Sequence, residues 1–369
     1  MTAASPHTRF RRPTASDAAE PPEARGVPRD RVKLLVARPD GIDHVRFADL
    51  GHYLGAGDLM VVNNSATLPA AVPGHRDGRH RPDEQSVIVH FSTALTEYVW
   101  AVELRASVNS TGYMGDIRPG ERIELPQGAA LTVTSSYPAP GVAGSRLWVS
   151  RLAVEGDALS YLARNGRPIR YAYVPREWPL RDYQTVFARQ PGSAEMPSAA
   201  RPFTTELVTS LLASGIAIAP VTLHTGVSSA EPGEPPAPEW FRVSPVTARV
   251  VNMTKTAGGR VVAVGTTVTR ALESAASGDG VVRAAEGWTN LVVGPAHPVR
   301  VVDGLITGWH EAGASHLLLL EAVAGPRLVA AAYREAARHD YLWHEFGDSA
   351  LLLPANTHRR PAQWWSNTG

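Results

Sequence analysis

Val261-Val262-Ala263-Val264-Gly265-Thr266-Thr267-Val268-Thr269-Arg270-Ala271-Leu272-Glu273 reads as a short apolar strand that runs through a Gly-Thr-Thr turn into a helix. A continuous apolar run of this length, bounded by a turn signal, is the pattern of a strand buried on both faces, as in the parallel sheet of an α/β protein. The helix that follows carries Arg270 and Glu273 three residues apart, on one face. The free N–H groups at its start attract anionic or carboxylate parts of a ligand, and Gly265 lets the backbone approach such a ligand closely. The same turn also serves in many α/β proteins simply to cap a helix.

Outward from this segment the pattern repeats. Thr204 to Ser214 predicts a helix N-capped by Thr204, stapled by Phe203 and Val208 and ended by Gly215. The strand Ile216 to Leu223 follows it, then a Pro-rich loop from Glu231 to Pro238 and a helix from Val246 to Thr256. The strand Arg260 to Val264, the helix Thr267 to Ala276, strands at Asn290 to Val293 and Arg300 to Ile306, and helices around His316 to Val323 and Pro326 to Arg338 complete the alternation. Two more strands, Arg31 to Ala37 and Asp58 to Asn63, open the chain's ordered part.

Between them the character changes. Ser86 to Phe91, Tyr98 to Glu103 and Ala130 to Thr134 are short alternating segments separated by Gly, Pro and Asp turns, such as Arg118-Pro119-Gly120-Glu121. This predicts a small all-β barrel. The fold class read from the sequence is therefore α/β: a main domain with parallel-sheet character, residues 26–68 and 151–369, interrupted by an inserted β-barrel domain over 69–150. The first 25 residues, rich in Pro, Ala and Arg and lacking an apolar stretch, read as a disordered tail rather than a signal peptide.

With 369 residues, 44% hydrophobic and 19% charged, the chain can bury a substantial core. It contains no cysteine, which excludes disulfides, thiolate metal sites and a cysteine nucleophile and is compatible with the cytoplasm. The net charge of +1 gives no strong electrostatic footprint for nucleic acid. The cations are nonetheless almost all Arg, with Lys only at 33 and 255, and Arg76, Arg79 and Arg81 cluster where phosphates could meet them or where solvent simply surrounds them. No stretch is apolar enough over about 20 residues to span a bilayer, so no membrane partner is expected.

Phosphate-loop, dinucleotide, zinc-protease and nucleophile-elbow motifs are all missing, and His75 with His80 has no convincing third ligand, so no metal is expected. The polar residues that do stand at the ends of core elements are His224, His310 and Asp348, where α/β enzymes place their sites. Each has an ordinary structural reading as well, Asp348 as an Asx turn.

Several segments occur in the order and spacing of one family. They include Leu34-Leu35-Val36, Gly57 to Asn63, Tyr183-Gln184-Thr185-Val186-Phe187-Ala188, Val221 to Gly226, Ala263 to Thr267 with Arg270 and Glu273, Val302 to Thr307 with His310, and Phe346-Gly347-Asp348. From about Arg29 to Leu353 the chain resembles the S-adenosylmethionine:tRNA ribosyltransferase-isomerases of queuosine biosynthesis. The resemblance implies an α/β domain with an inserted barrel. It also implies transfer and rearrangement of the ribosyl part of S-adenosylmethionine onto 7-aminomethyl-7-deazaguanine in tRNA, giving epoxyqueuosine, adenine and methionine. S-adenosylmethionine is then the co-substrate and a tRNA anticodon stem-loop the partner. Such chemistry needs a base, charge stabilisation for the leaving adenine and a positioned acceptor amine. His310, Glu239 and Asp348 are the expected catalytic residues, His310 because imidazole titrates near neutral pH. Gly265, Thr266, Thr267, Arg270, Glu273, His224, Tyr183, Gln184, Asn63 and Ser65 are the expected substrate-binding residues.

The chain also departs from the family's pattern. Asn-Asp-Thr-Arg-Val-Ile-Pro-Ala-Arg appears as Asn63-Asn64-Ser65-Ala66-Thr67-Leu68-Pro69-Ala70-Ala71, without the acid and both arginines. Ala-Ala-Pro-Thr-Ala-Gly-Leu-His appears as Glu195-Met196-Pro197-Ser198-Ala199-Ala200-Arg201-Pro202, and Met-His-Ser-Glu as Pro236-Ala237-Pro238-Glu239. Thr-Asn-Phe-His-Leu-Pro reads Thr307-Gly308-Trp309-His310-Glu311-Ala312. Lost polar groups remove contacts that a polar ligand needs. A relative acting with S-adenosylmethionine on another acceptor, and a non-catalytic binding protein on the same scaffold, stay open beside the tRNA reaction.

Overall fold

The computed structural model describes residues 5–13, 16–76, 86–106, 112–141, 145–227 and 236–355. The strands before the barrel are β1 (Lys33–Arg38), β2 (Gly41–Arg46), β3 (Leu59–Asn63) and β4 (Ser65–Thr67). Those of the barrel are β5 (Ala71–Arg76), β6 (Ser86–Ala94), β7 (Val99–Arg105), β8 (Arg122–Glu124), β9 (Ala130–Tyr137) and β10 (Leu147–Ala153). After it come β11 (Gln190–Ser193), β12 (Ala217–Leu223), β13 (Glu239–Val243), β14 (Val261–Val264), β15 (Ala285–Thr289), β16 (Gly304–Thr307) and β17 (Ser349–Leu352). The α-helices are α1 (Ala158–Asn165), α2 (Thr205–Ala213), α3 (Pro245–Thr256), α4 (Thr266–Ser274), α5 (Ser315–Ala324) and α6 (Pro326–Arg338).

The apolar run of the opening segment, β14, lies inside a mixed sheet of order β15-β13-β12-β3-β14-β16-β17-β1-β2. Its centre is parallel: β12 with β3, β3 with β14, and β14 with β16. Both faces are covered, which is why β3 and β14 are apolar throughout. Alternate residues point to opposite sides. Leu59, Val61, Val261 and Ala263 pack with helices α3 to α6 through residues such as Val251, Leu272, Leu317 and Val329. Met60, Val62, Val262 and Val264 pack on the other face with Phe47, Phe203 and Leu211. Thr204 caps α2 by accepting from the Leu207 N–H at 3.2 Å, and Gly215 follows the helix with φ 81°.

The inserted strands close into an antiparallel barrel of order β10-β7-β6-β5-β8-β9. Its core, with Val89, Trp100, Leu104 and Leu131, also takes in Ala158, Tyr161 and Leu162 of α1, so that helix packs with the barrel. Arg76 is buried there, paired with Glu121 and, at 2.9 Å, with Asp116, which withdraws it from the phosphate contact considered for it. Arg79, Arg81 and His80 lie outside the described residues.

Two expectations are corrected. Asn290 to Val293 is not a strand; the strand is Ala285–Thr289, paired antiparallel with β13 at the sheet edge. The amino-terminal segment is also not a loose tail where it is described. The N–H groups of His7 and Thr8 donate to the Glu321 carboxylate at 3.1 and 2.6 Å, and Phe10 packs on Tyr333 and Trp343. Ser16 and Ala18 exchange backbone hydrogen bonds with Trp343. Long-range contacts thus supply the ordering that its composition lacks.

Candidate functional site

The parallel strands β3, β12, β14 and β16 all end on one side of the sheet, where open α/β sheets place their ligands. There the sheet, the barrel and the amino-terminal segment enclose a cavity of about 640 Å³, within the range of small-molecule sites. Gly265, Thr266, Thr267, Arg270, Glu239, His310 and Tyr183 all line it.

Gly265 holds φ 99°, ψ 157°, a conformation that favours glycine, and its N–H donates to the Ile306 carbonyl at 2.8 Å. The turn thereby aims the first N–H groups of α4 at the cavity. Arg270, one turn on, donates through Nε to the Leu291 carbonyl at 3.1 Å, through Nη2 to the Thr289 carbonyl at 3.3 Å, and through Nη1 to Glu239. Glu239 also accepts from the Gly226 N–H at 3.1 Å. Burial raises the Glu239 carboxyl above its ordinary value, while Arg270 and that N–H pull it down. Arg270 therefore anchors Glu239 and the 289–291 loop as much as it faces a ligand.

His310 stacks face to face on His316, with centroids 4.5 Å apart and planes 2° from parallel. Its Nε2 lies 3.1 Å from the Thr307 hydroxyl. The same hydroxyl lies 3.1 Å from the Gly308 carbonyl, so Thr307 fixes the orientation of the imidazole whichever ring nitrogen carries the proton. Burial, together with the neighbouring His316 and His344, holds His310 well below the usual imidazole value. It is a neutral histidine at pH 7, not one that titrates there.

The remaining expected residues do not line this cavity and have structural duties. Asp348 accepts from the N–H groups of Lys33 at 2.7 Å and Leu342 at 2.8 Å. Glu273 accepts from those of Arg300, Val301 and Val302. Asn63 pairs its amide with both backbone groups of Leu223 and donates to the Thr267 hydroxyl, tying β3 to β12. Gln184 pairs in the same way with the backbone of Thr67. Ser65 lies 2.6 Å from the Ser193 hydroxyl and 2.7 Å from His224 Nδ1, and His224 stacks on Trp240. Gly192 leaves room for that ring, since a Cβ there would come within 2.5 Å of it. Spacing alone does not separate such clamps from ligand contacts, because both need a polar side chain at a strand end.

Other groups in the cavity carried no sequence signal as site residues: Tyr171, Tyr173, His316, His344 and Glu345, together with Glu195, which was visible only as a departure. Arg12 bridges Asp17 and Glu311, and His344 Nε2 lies 2.8 Å from Asp17. The amino-terminal segment is thus fastened across the loop that carries His310. Outside the cavity, His44, Glu335 and His339 have ligand atoms within 4.8 Å of one another and could hold a metal ion. Among the described residues no single helix is long and apolar enough to cross a membrane.

Comparison with known proteins places these features in one group. Residues 7–352 match the family model described as queuosine biosynthesis protein. An S-adenosylmethionine:tRNA ribosyltransferase-isomerase of Symbiobacterium thermophilum is 36% identical over 337 residues, covering 88% of this chain and 94% of that protein. Its counterpart in Thermus thermophilus is 34% identical over 347 residues, covering 90% and 97%. A crystal structure of an S-adenosylmethionine tRNA ribosyltransferase from Thermotoga maritima aligns over 93% of this chain and 99% of that one, with a TM-score of 0.50 and 25% identity. On the match that runs from the amino-terminal segment to β17, the chain belongs to the queuosine biosynthesis protein family.

Proposed function

We propose that the protein transfers and isomerises the ribosyl moiety of S-adenosylmethionine onto 7-aminomethyl-7-deazaguanine in the anticodon of a cytoplasmic tRNA, forming epoxyqueuosine and releasing adenine and methionine. The observation that carries this reading is that Gly265, Thr266, Thr267, Arg270, Glu239, Tyr183 and His310, scattered through the segments shared with the family, line one cavity at the strand ends. The N–H groups at the start of α4 are suited to the carboxylate of the methionine moiety. Glu239, held by Arg270 and Gly226, faces the same space. His310, neutral at pH 7 and lining the cavity, is the base this reading assigns to the proton made acidic by the sulfonium.

The test is release of adenine and methionine from S-adenosylmethionine, followed chromatographically, with and without tRNA carrying the aminomethyl base. Release that requires this tRNA is the expected result, and none under any condition would remove the reading. A second reading, transfer to a non-tRNA acceptor, is favoured by Glu195 and Glu311, carboxylates lining the cavity where the family pattern has Ala and Leu. Adenine release without any tRNA would decide for it.

A further inference from the structure

Three side chains with metal-ligand chemistry meet on the surface, and none of them lines the cavity. His44 stands on β2, the outermost strand at one end of the large sheet. Glu335 lies in the last turn of α6, and His339 follows that helix, four residues on and so on the same face. His339 Nε2 is 3.3 Å and His44 Nε2 3.9 Å from Glu335 Oε2. One ligand atom from each residue lies within 4.8 Å of the other two. Two ligand atoms bound to one tetrahedral zinc at the usual bond lengths stand about 3.4 Å apart, so a small movement of the His44 ring completes the geometry.

The remaining atoms of these side chains are committed in a way that leaves the three facing one another. The His44 Nδ1 lies 3.0 Å from the hydroxyl of Tyr341, a residue only 1% exposed whose ring packs on Trp309. That oxygen can accept the Nδ1 proton, which is how a metal-binding imidazole is oriented with its Nε2 lone pair free. Glu335 Oε1 accepts from Arg338 at 2.7 Å, which leaves Oε2 to the group. Two further charges act on His44 with opposite signs: Asp43 favours a cation there and Lys33 opposes one. The Lys33 ammonium is held by the His339 and Asp340 carbonyls at 2.8 and 2.9 Å.

We propose that His44, Glu335 and His339 bind a divalent transition-metal ion and thereby tie the outer strand β2 to the end of α6. Two imidazole nitrogens and one carboxylate oxygen suit zinc or nickel, whereas magnesium and calcium prefer oxygen alone. Both histidines are exposed, so water completes the coordination. The expectation of no metal turned on His75 and His80, which take no part here; this set is assembled by the fold from residues far apart in the chain. The proposal does not depend on the function proposed above.

Calorimetric titration of the full chain with zinc chloride tests it, on protein free of any histidine tag and stripped with a chelator. The expected result is one equivalent bound with a micromolar Kd, and a melting temperature that climbs with zinc, since the three ligands meet only in the folded chain. His44→Ala and His339→Ala should each weaken zinc at least about tenfold, equivalent to about 1.4 kcal/mol or more. Magnesium chloride should give no comparable binding. No zinc binding below millimolar concentration, or a Kd unchanged in both histidine variants, overturns the site. Circular dichroism checks that each variant folds, and if one does not, the Kd of the other decides.

Discussion

His310 and Asp348 look alike in the sequence, each a polar residue just past an apolar run, yet their surroundings assign them opposite duties. Asp348 satisfies two backbone N–H groups, from β1 and from Leu342. Asp348→Ala should cost about 2–4 kcal/mol of stability through those orphaned donors, seen as a lower melting temperature, while the protein still folded keeps its turnover. His310→Ala should do the reverse, with the melting temperature nearly kept and adenine release slowed about 10²–10⁴-fold. Equal turnover in wild type and His310→Ala would take the imidazole out of the chemistry. The residue types at the site were legible because their motif order was. Their roles were not, since Glu273, Asn63 and Gln184 spend their polar atoms on the backbone, and only the tertiary fold decides that.

Elements were readable where one periodicity governs them. Helix α6 spans Pro326–Arg338 as its pattern predicts, because one face buries Val329, Ala332, Tyr333 and Ala336. The misread strand has a physical cause. Leu291, Val292 and Val293 are apolar because they line the cavity, whereas the true strand Ala285–Thr289 is a half-exposed edge with no apolar run. The strap formed by residues 5–13 and 16–18 was likewise invisible, being held by distant partners. Glu321, in α5, is the main one at its start, and a charged acceptor of two backbone N–H groups contributes about 1.5–3 kcal/mol per bond. Glu321→Ala should therefore loosen the backbone around Arg9, Arg11 and Arg12 and raise the rate of amino-terminal clipping by trypsin severalfold, with the sheet and barrel still resistant. An unchanged clipping rate would show that Phe10 and the Trp343 pairing hold the strap without it.

At the scale of the whole molecule, buried titratable groups make stability depend on pH. Burial lowers His224, His316 and His344 to about 4 and His90 to about 3, with His310 lowered too. These histidines bind protons more readily unfolded than folded, so the stability they permit is full above about pH 6.5 and falls as the pH drops towards 4. Glu345 works in the opposite sense. Its folded value of about 7 lies above the unfolded one, so its contribution is full below about 4.5 and is lost as the pH rises through 7. Five lowered histidines outweigh the raised carboxyls of Glu345, Glu239 and Asp348, which predicts a melting temperature that rises from pH 4.5 to 6.5, and Glu345→Gln should steepen that rise and lift stability at pH 8. A flat profile between pH 4.5 and 6.5 would contradict the burial described for the histidines. The architecture of sheet and inserted barrel was legible in composition shifts along the chain. The meeting of Glu195, Glu239 and Glu345 in one cavity was not, because it joins segments from three separate parts of the fold.

The fastening of Arg12 to Asp17 and Glu311, and of His7 and Thr8 to Glu321, has a practical consequence at the bench. An affinity handle fused ahead of residue 1 would lead directly into the strap, where its histidines or charged linker could compete with the strap for Glu311 and Glu321. Strand β17 runs antiparallel to β16 and so leaves the sheet at the end opposite the cavity, which makes the carboxyl side the better place for a handle. Weak binding or turnover by an amino-terminally tagged preparation would thus speak about the tag before it spoke about the enzyme.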